Sequence, residues 1–107
     1  MSRTGDPSYR TFTPLDADTW DALVEHATED DAIGWSVRMS NQQLGDILGM
    51  NRRLASVRAQ RLVDFGMVKA VYSEIDGKPQ AKVYLVSDRW LGSSPRVGEY
   101  YPTGVHE

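Results

Sequence analysis

Residues 40–68 read SNQQLGDILGMNRRLASVRAQRLVDFGMV, and the placing of polar caps, glycines and apolar residues in this stretch predicts two short helices meeting at a tight turn. Ser40 with Gln43 offers a capping box that marks where the first helix begins. Leu44, Ile47 and Leu48 then fall on one face. Gly49 suits the left-handed backbone that ends a helix, Met50 supplies an apolar plug for the turn, and Asn51 can cap the second helix. In that helix Ala55, Ala59 and Leu62 share a stripe, small near the crossing and larger beyond it, so the two helices can approach closely. Arg52, Arg53, Ser56 and Gln60 face away from the stripe. Gly66 ends the helix, and the apolar pair Met67 and Val68 opens the next segment.

Working outward, Thr13 with Pro14 and Asp16 offers a second capping box, and Asp18 is an alternative start. The helix so begun runs to about Ala27 or Thr28, with Trp20, Leu23, Val24 and Ala27 as its apolar stripe and its carboxylates outside. TEDDAIG at 28–34 is polar and turn-prone, and WSVRM at 35–39 alternates as a short strand does. Residues 67–75 and 81–87 alternate and are rich in Val, Ile and Tyr, which predicts a hairpin with Asp76-Gly77-Lys78-Pro79-Gln80 as its loop. Pro79 cannot donate to a ladder and is expected in that loop. Residues 1–12 read as a flexible arm whose aromatic end, Tyr9 and Phe12, is expected to dock on the core, and residues 92–107 read as a flexible tail with Tyr100 and Tyr101 as its large anchors. Residues 13–91 are the expected domain. Its fold class is α+β, in the order helix, strand, helix, helix, strand, strand.

The stretch Leu48, Gly49, Met50, Asn51, followed by Leu62, Gly66, Met67 and Val68, resembles the winged helix-turn-helix domains of MarR-like and GntR-like regulators. The resemblance spans roughly residues 15–90 and rests on combined spacing. It implies duplex DNA as the partner, the second helix of the pair as the reading helix, and the hairpin as the wing. Arg58 departs from the pattern, standing where those families carry an apolar residue. That shifts the phase of the helix by about one position, so that Val57 is inward or else offers a methyl to thymine.

A chain of 107 residues suits one domain. No apolar run approaches the length of a membrane span, and the opening MSRTGDPSYR lacks the apolar stretch of a secretory signal, so a cytoplasmic protein with no membrane contact is expected. With no cysteine there is neither a disulfide nor a thiolate zinc site. The net charge of −3 runs against polyanion binding, but its distribution matters more. Asp16, Asp18, Asp21, Glu25, Glu29, Asp30 and Asp31 follow one another with no lysine or arginine among them. Residues 52–89 carry Arg52, Arg53, Arg58, Arg61, Lys69, Lys78, Lys82 and Arg89 against only Asp64, Glu74, Asp76 and Asp88. The molecule should therefore have an electrostatic front and back. An acidic run is ordinarily a solvated helix face; the sharper alternative is a surface for a basic protein partner.

For DNA, arginine suits the paired acceptors of guanine and glutamine suits adenine. Arg53 and Gln60 are the expected base-edge readers, with Ser56 and Val57 beside them. Asn51, Arg52 and Arg61 are better placed for phosphate, and amides at the start of the helix add fixed positive potential. Lys78 at the wing tip follows the backbone or enters the minor groove, and Lys69 and Lys82 add phosphate contacts. Catalysis has little support: the histidines are His26, beside Glu25 and Glu29, and His106 in the tail, and there is no phosphate-binding glycine loop or nucleophile elbow. No cofactor or metal is expected. The function implied is that of a small transcriptional regulator, a repressor, phage- or plasmid-encoded and homodimeric. A replication or partition protein and a winged-helix protein adaptor are the alternatives. The dimer contact would have to come from the arm with Phe12 or the tail with Tyr100 and Tyr101.

Overall fold

The computed structural model describes residues 8–75 and 78–103. Among them the chain forms β1 (Ser8–Thr11), α1 (Pro14–Glu25), β2 (Thr28–Asp30), β3 (Gly34–Arg38), α2 (Asn41–Leu48), α3 (Arg52–Asp64), β4 (Val68–Ile75), β5 (Lys78–Val86) and β6 (Tyr100–Thr103), with a 3₁₀ turn at Asp88–Trp90. The fold is α+β, three helices with a four-stranded antiparallel sheet of order β2-β3-β5-β4 and a separate two-stranded ribbon, β1-β6.

Both predicted capping boxes form. The Thr13 hydroxyl accepts from the Asp16 N–H while the Asp16 carboxylate accepts from the Thr13 N–H, and Ser40 and Gln43 exchange the same pair of bonds. Each box satisfies amides that a helix start leaves without intrahelical partners. Asn51 Oδ1 accepts from the Leu54 N–H at 2.9 Å. Gly49 and Gly66 adopt positive φ at 73° and 77°, where a side chain would be strained. Helix α1 stops at Glu25, short of the expected Ala27 or Thr28, because Thr28 already pairs with Ser36.

The sheet buries one face. Val37, Val68, Tyr84 and Val86 turn toward the helices and join Trp20, Leu23, Leu44, Ala55, Ala59, Leu62, Phe65 and Met67 in one core. Their cross-strand partners confirm the register, Val37 opposite Tyr84 and Val68 opposite Val86. Such one-sided burial is the usual condition of an antiparallel sheet.

Three expectations need correction. The segment TEDDAIG is not a plain turn: Thr28–Asp30 is an edge strand, and the Asp30 carboxylate accepts the N–H groups of Ala32 and Ile33 to close the turn into β3. An exposed polar edge strand has no apolar alternation to betray it. The hairpin loop is also shorter than expected. Ile75 pairs with Lys78, leaving residues 76 and 77 outside the described residues, and Asp-Gly is a favoured pair for a connection of that length. Lys78 therefore begins β5 and is not in a longer loop. Pro79 lies in the ladder opposite Glu74, beside a register shift between Tyr72 and Glu74 and beyond the end of β3, where a missing N–H is tolerated.

The third correction concerns the ends. Residues 8–11 and 100–103, assigned to the arm and tail, pair antiparallel, Arg10 opposite Tyr101 and Thr11 opposite Tyr100. Phe12 is fully buried, its N–H bonded to the Glu99 carbonyl and its carbonyl accepting from the Gly98 N–H. Its ring meets Phe65 edge-on at 5.6 Å and Tyr101 at 6.4 Å, and Tyr101 meets Trp90 at 6.1 Å. Aromatic edge-to-face contacts of this kind add to the gain from burial. Phe12 and Tyr101 are thus spent within the fold, and of the three aromatic residues expected to supply a dimer contact Tyr100, 71% exposed, remains available.

Candidate nucleic-acid interface

Helix α2 approaches the start of α3 through Gly45. A Cβ at that position would stand 2.5 Å from the Met50 carbonyl oxygen, a backbone atom that cannot move aside. Helix–helix crossing at this distance sets the angle at which α3 leaves the core. Gly45→Ala is therefore expected to destabilise the protein by about 1–3 kcal/mol through overpacking, although alanine is ordinarily the better helix former by about 1 kcal/mol. Urea unfolding of the two proteins checks this, and an alanine variant at least as stable as the parent would contradict the close crossing.

The stripe of Ala55, Ala59 and Leu62 is buried against α1 and α2, as its spacing predicts. Arg52, Arg53 and Gln60 are exposed and Ser56 is half-buried on the opposite side. The question of phase resolves outward for Val57, which is 51% exposed. Arg58 turns partly inward instead, with Nη1 4.0 Å from the buried carboxylate of Asp16. An arginine can occupy that position because a negative charge lies beneath it.

Together Ser40, Asn41 and Gln42 from the start of α2 and Arg52, Arg53, Ser56 and Val57 from α3 line an open groove of about 720 Å³. Arg52 and Arg53 have no acidic partner among the described residues, so their guanidinium groups are available to an anion. Ser40, Asn41 and Gln42 were not among the residues expected at this surface. The capping box was the signal that could have found them, since it places the first turn of α2 at the surface beside the turn into α3. A second concavity, of about 280 Å³, continues along α3 past Ser56 and Val57 to Gln60, Arg61, Asp64 and Arg10. Within it the Gln60 amide donates to Asp64 at 3.0 Å.

Arg61 does not belong with the outward set. Its Nε donates to Asp16 Oδ1 at 2.7 Å, and its Nη2 donates to Asp16 Oδ2 at 2.9 Å and to the Thr11 carbonyl at 2.9 Å. Asp16 is fully buried, contrary to the expectation that the carboxylates of α1 lie outside. Burial pushes its carboxyl up, but the Arg61 hydrogen bonds, followed by those from the Thr13 N–H and hydroxyl, outweigh that and hold it below the usual carboxylate range. The same hydrogen bonds raise the guanidinium of Arg61 against the opposing effect of burial. Asp16 and Arg61 form a clasp between α1, α3 and β1, so most of the donors of Arg61 are engaged within the fold.

The other expected contacts are spread along the hairpin. Lys69 is exposed on β4 opposite Leu85. The backbone places Lys78 opposite Ile75 and Lys82 opposite Tyr72. The remaining acids of α1 stand elsewhere: Asp18, Asp21 and Glu25 edge a concavity floored by Leu15, Ala22, Ile47 and Leu48 between α1 and α2. His26 is exposed, and its Nδ1 lies 2.9 Å from the Ala22 carbonyl. No helix among the described residues is long and apolar enough to cross a membrane. Comparison with known proteins finds no matching family model, no matching curated protein and no matching solved structure.

Proposed function

We propose that this chain is a winged helix-turn-helix protein that binds duplex DNA sequence-specifically, and that it acts as a small cytoplasmic transcriptional regulator, a repressor that occludes its promoter. In this reading α2 and α3 are the helix-turn-helix pair and β4 and β5 are the wing. The observation that carries it is the outward face of α3, where Arg52, Arg53, Ser56, Val57 and Gln60 line connected concavities and neither Arg52 nor Arg53 has an acidic partner among the described residues. The major groove admits one α-helix, and the base edges within it are distinguished by donors of the arginine and glutamine kind. Arg53 and Gln60 read base edges, Asn51 and Arg52 hold phosphate at the start of α3, and Lys69, Lys78 and Lys82 grip the backbone from the hairpin. The exposed acids of α1 belong to the face turned from DNA.

Selecting duplex fragments from the source genome tests the reading. A short shared motif at one or a few promoters is expected. Motif arrays at an origin or centromere would move the protein to replication or partition. No affinity for any duplex at low salt would leave the adaptor reading, in which the apolar floor beneath Asp18, Asp21 and Glu25 receives a basic protein. Homodimerisation belongs to the same proposal. Its remaining surface is Tyr100 with Val97, both exposed, and a symmetric pair would show as two half-sites about 34–36 Å apart or a multiple of it.

A further inference from the structure

We infer that Arg10, carried on the β1-β6 ribbon, is a phosphodiester-binding residue that extends the DNA-binding surface beyond α3; this rests on the DNA-binding reading above. The ribbon is placed by the buried clasp. Arg61 is fixed by Asp16 and donates to the carbonyl of Thr11, the residue next to Arg10, so β1 is tied to the flank of α3 at that point. Arg10 then shares a concavity with Ser56, Val57, Gln60 and Asp64. Ser56 and Val57 also line the groove that holds Arg52 and Arg53, so the two concavities form one continuous surface.

Arg10 is available there. Its side chain is 50% exposed, and its contact with Asp64 is a single 3.6 Å approach of Nη1 to Oδ2. A half-exposed pair of that length is weak. A guanidinium has five N–H donors, and this contact leaves most of them unused. Asp64 is meanwhile shared with the Gln60 amide.

Helix geometry supplies the ligand. At about 1.5 Å per residue, Asp64 stands about 16 Å along the axis from Arg53. The major groove is about 12 Å wide. A helix that crosses the groove with Arg53 at the base edges carries its other end, near Asp64, to the sugar–phosphate wall. A lone carboxylate there would be repelled. Arg10 neutralises Asp64 and presents its free donors to the same wall, which gives this end of the helix a grip that the sequence of α3 alone does not contain.

The test measures affinity across a salt series on the selected duplex and a scrambled one, with thermal melting of each variant alongside. Arg10→Ala should weaken both duplexes by the same factor and reduce the slope of log affinity against log salt by about 0.9. Arg10→Lys should recover most of the slope, and Asp64→Asn should strengthen both duplexes. The decisive arm is Arg10→Ala in the Asp64→Asn background. A loss of the same size as in the parent shows direct contact with phosphate. No loss there would mean that Arg10 only screens Asp64, and an unchanged slope in the single variant would likewise overturn the assignment. If the parent protein binds neither duplex at low salt, the DNA-binding reading fails and this inference with it. Failure confined to the Arg10 arms leaves that reading standing.

Discussion

Replacing Asp16 by alanine is expected to cost the fold about 3–5 kcal/mol, because breaking a buried ion pair strands the other charge. Arg61 is only 19% exposed in its side chain, and three of its hydrogen bonds end on Asp16 or Thr11. The same carboxylate closes the capping box of α1, so the substitution also removes an acceptor from the Thr13 N–H and hydroxyl. Each kcal/mol shifts the melting temperature of a domain this size by about 4–8 °C, so even the lower end of the range should lower it by more than about 10 °C. Urea unfolding at neutral pH measures the loss. A change below about 1 kcal/mol, no more than an exposed ion pair contributes, would show that the clasp adds little.

The clasp also has a pH signature. The folded state holds the Asp16 carboxyl below its ordinary value, so it favours the ionised form more than the unfolded chain does. Its contribution is then fully present above the unfolded carboxylate range, about pH 4, and is lost as pH falls through the lowered folded value. Acid unfolding of the parent should carry this component, and Asp16→Asn should flatten that part of the stability curve while lowering it at neutral pH. An identical acid limb in the variant would assign acid sensitivity to other groups.

The second large effect is on recognition. If Arg53 forms a bidentate contact with guanine, Arg53→Ala should cost roughly 1–3 kcal/mol on the selected site, about five- to 150-fold, and relax preference at one base pair. Affinity for scrambled duplex should change much less. Arg53 is exposed and has no acidic partner among the described residues, so its removal should leave the melting temperature near that of the parent. Competition binding with single-base-pair variants of the site checks both parts. Equal losses on the two duplexes would demote Arg53 from base reader to phosphate contact.

Much of the α2-α3 unit was legible in the sequence because each of its signals is local. Ser40, Gln43, Gly49, Asn51 and Gly66 act within a turn of where they stand, and the structure places every one as its neighbours predict. What could not be read was set by residues far apart in the chain. Asp16 looks like one more carboxylate in an acidic run, and only its contact with Arg61, 45 positions away, makes it a core residue. Separations of this kind hid the engagement of Arg61 within the fold and the half-buried setting of Arg58. The ribbon was missed for a related reason: SYRT and YYPT are too short and too polar to announce strands, and each is a strand only because the other lies beside it. Phe12 signalled that its segment docks, but not that its ring would fill the core beside Phe65.

The central claim is that the outward face of α3 enters DNA, and proximity cleavage tests it most directly. The chain has no cysteine, so Ser56→Cys and Glu25→Cys each create a single attachment point for a DNA-cleaving iron chelate. Ser56 lies midway along the proposed reading face, and Glu25 lies at the exposed end of α1. On a duplex carrying the selected site, the conjugate at 56 should cut both strands within the bound motif while the conjugate at 25 leaves it intact. Cleavage from position 25 and none from position 56 would contradict the assignment of α3 as the reading helix.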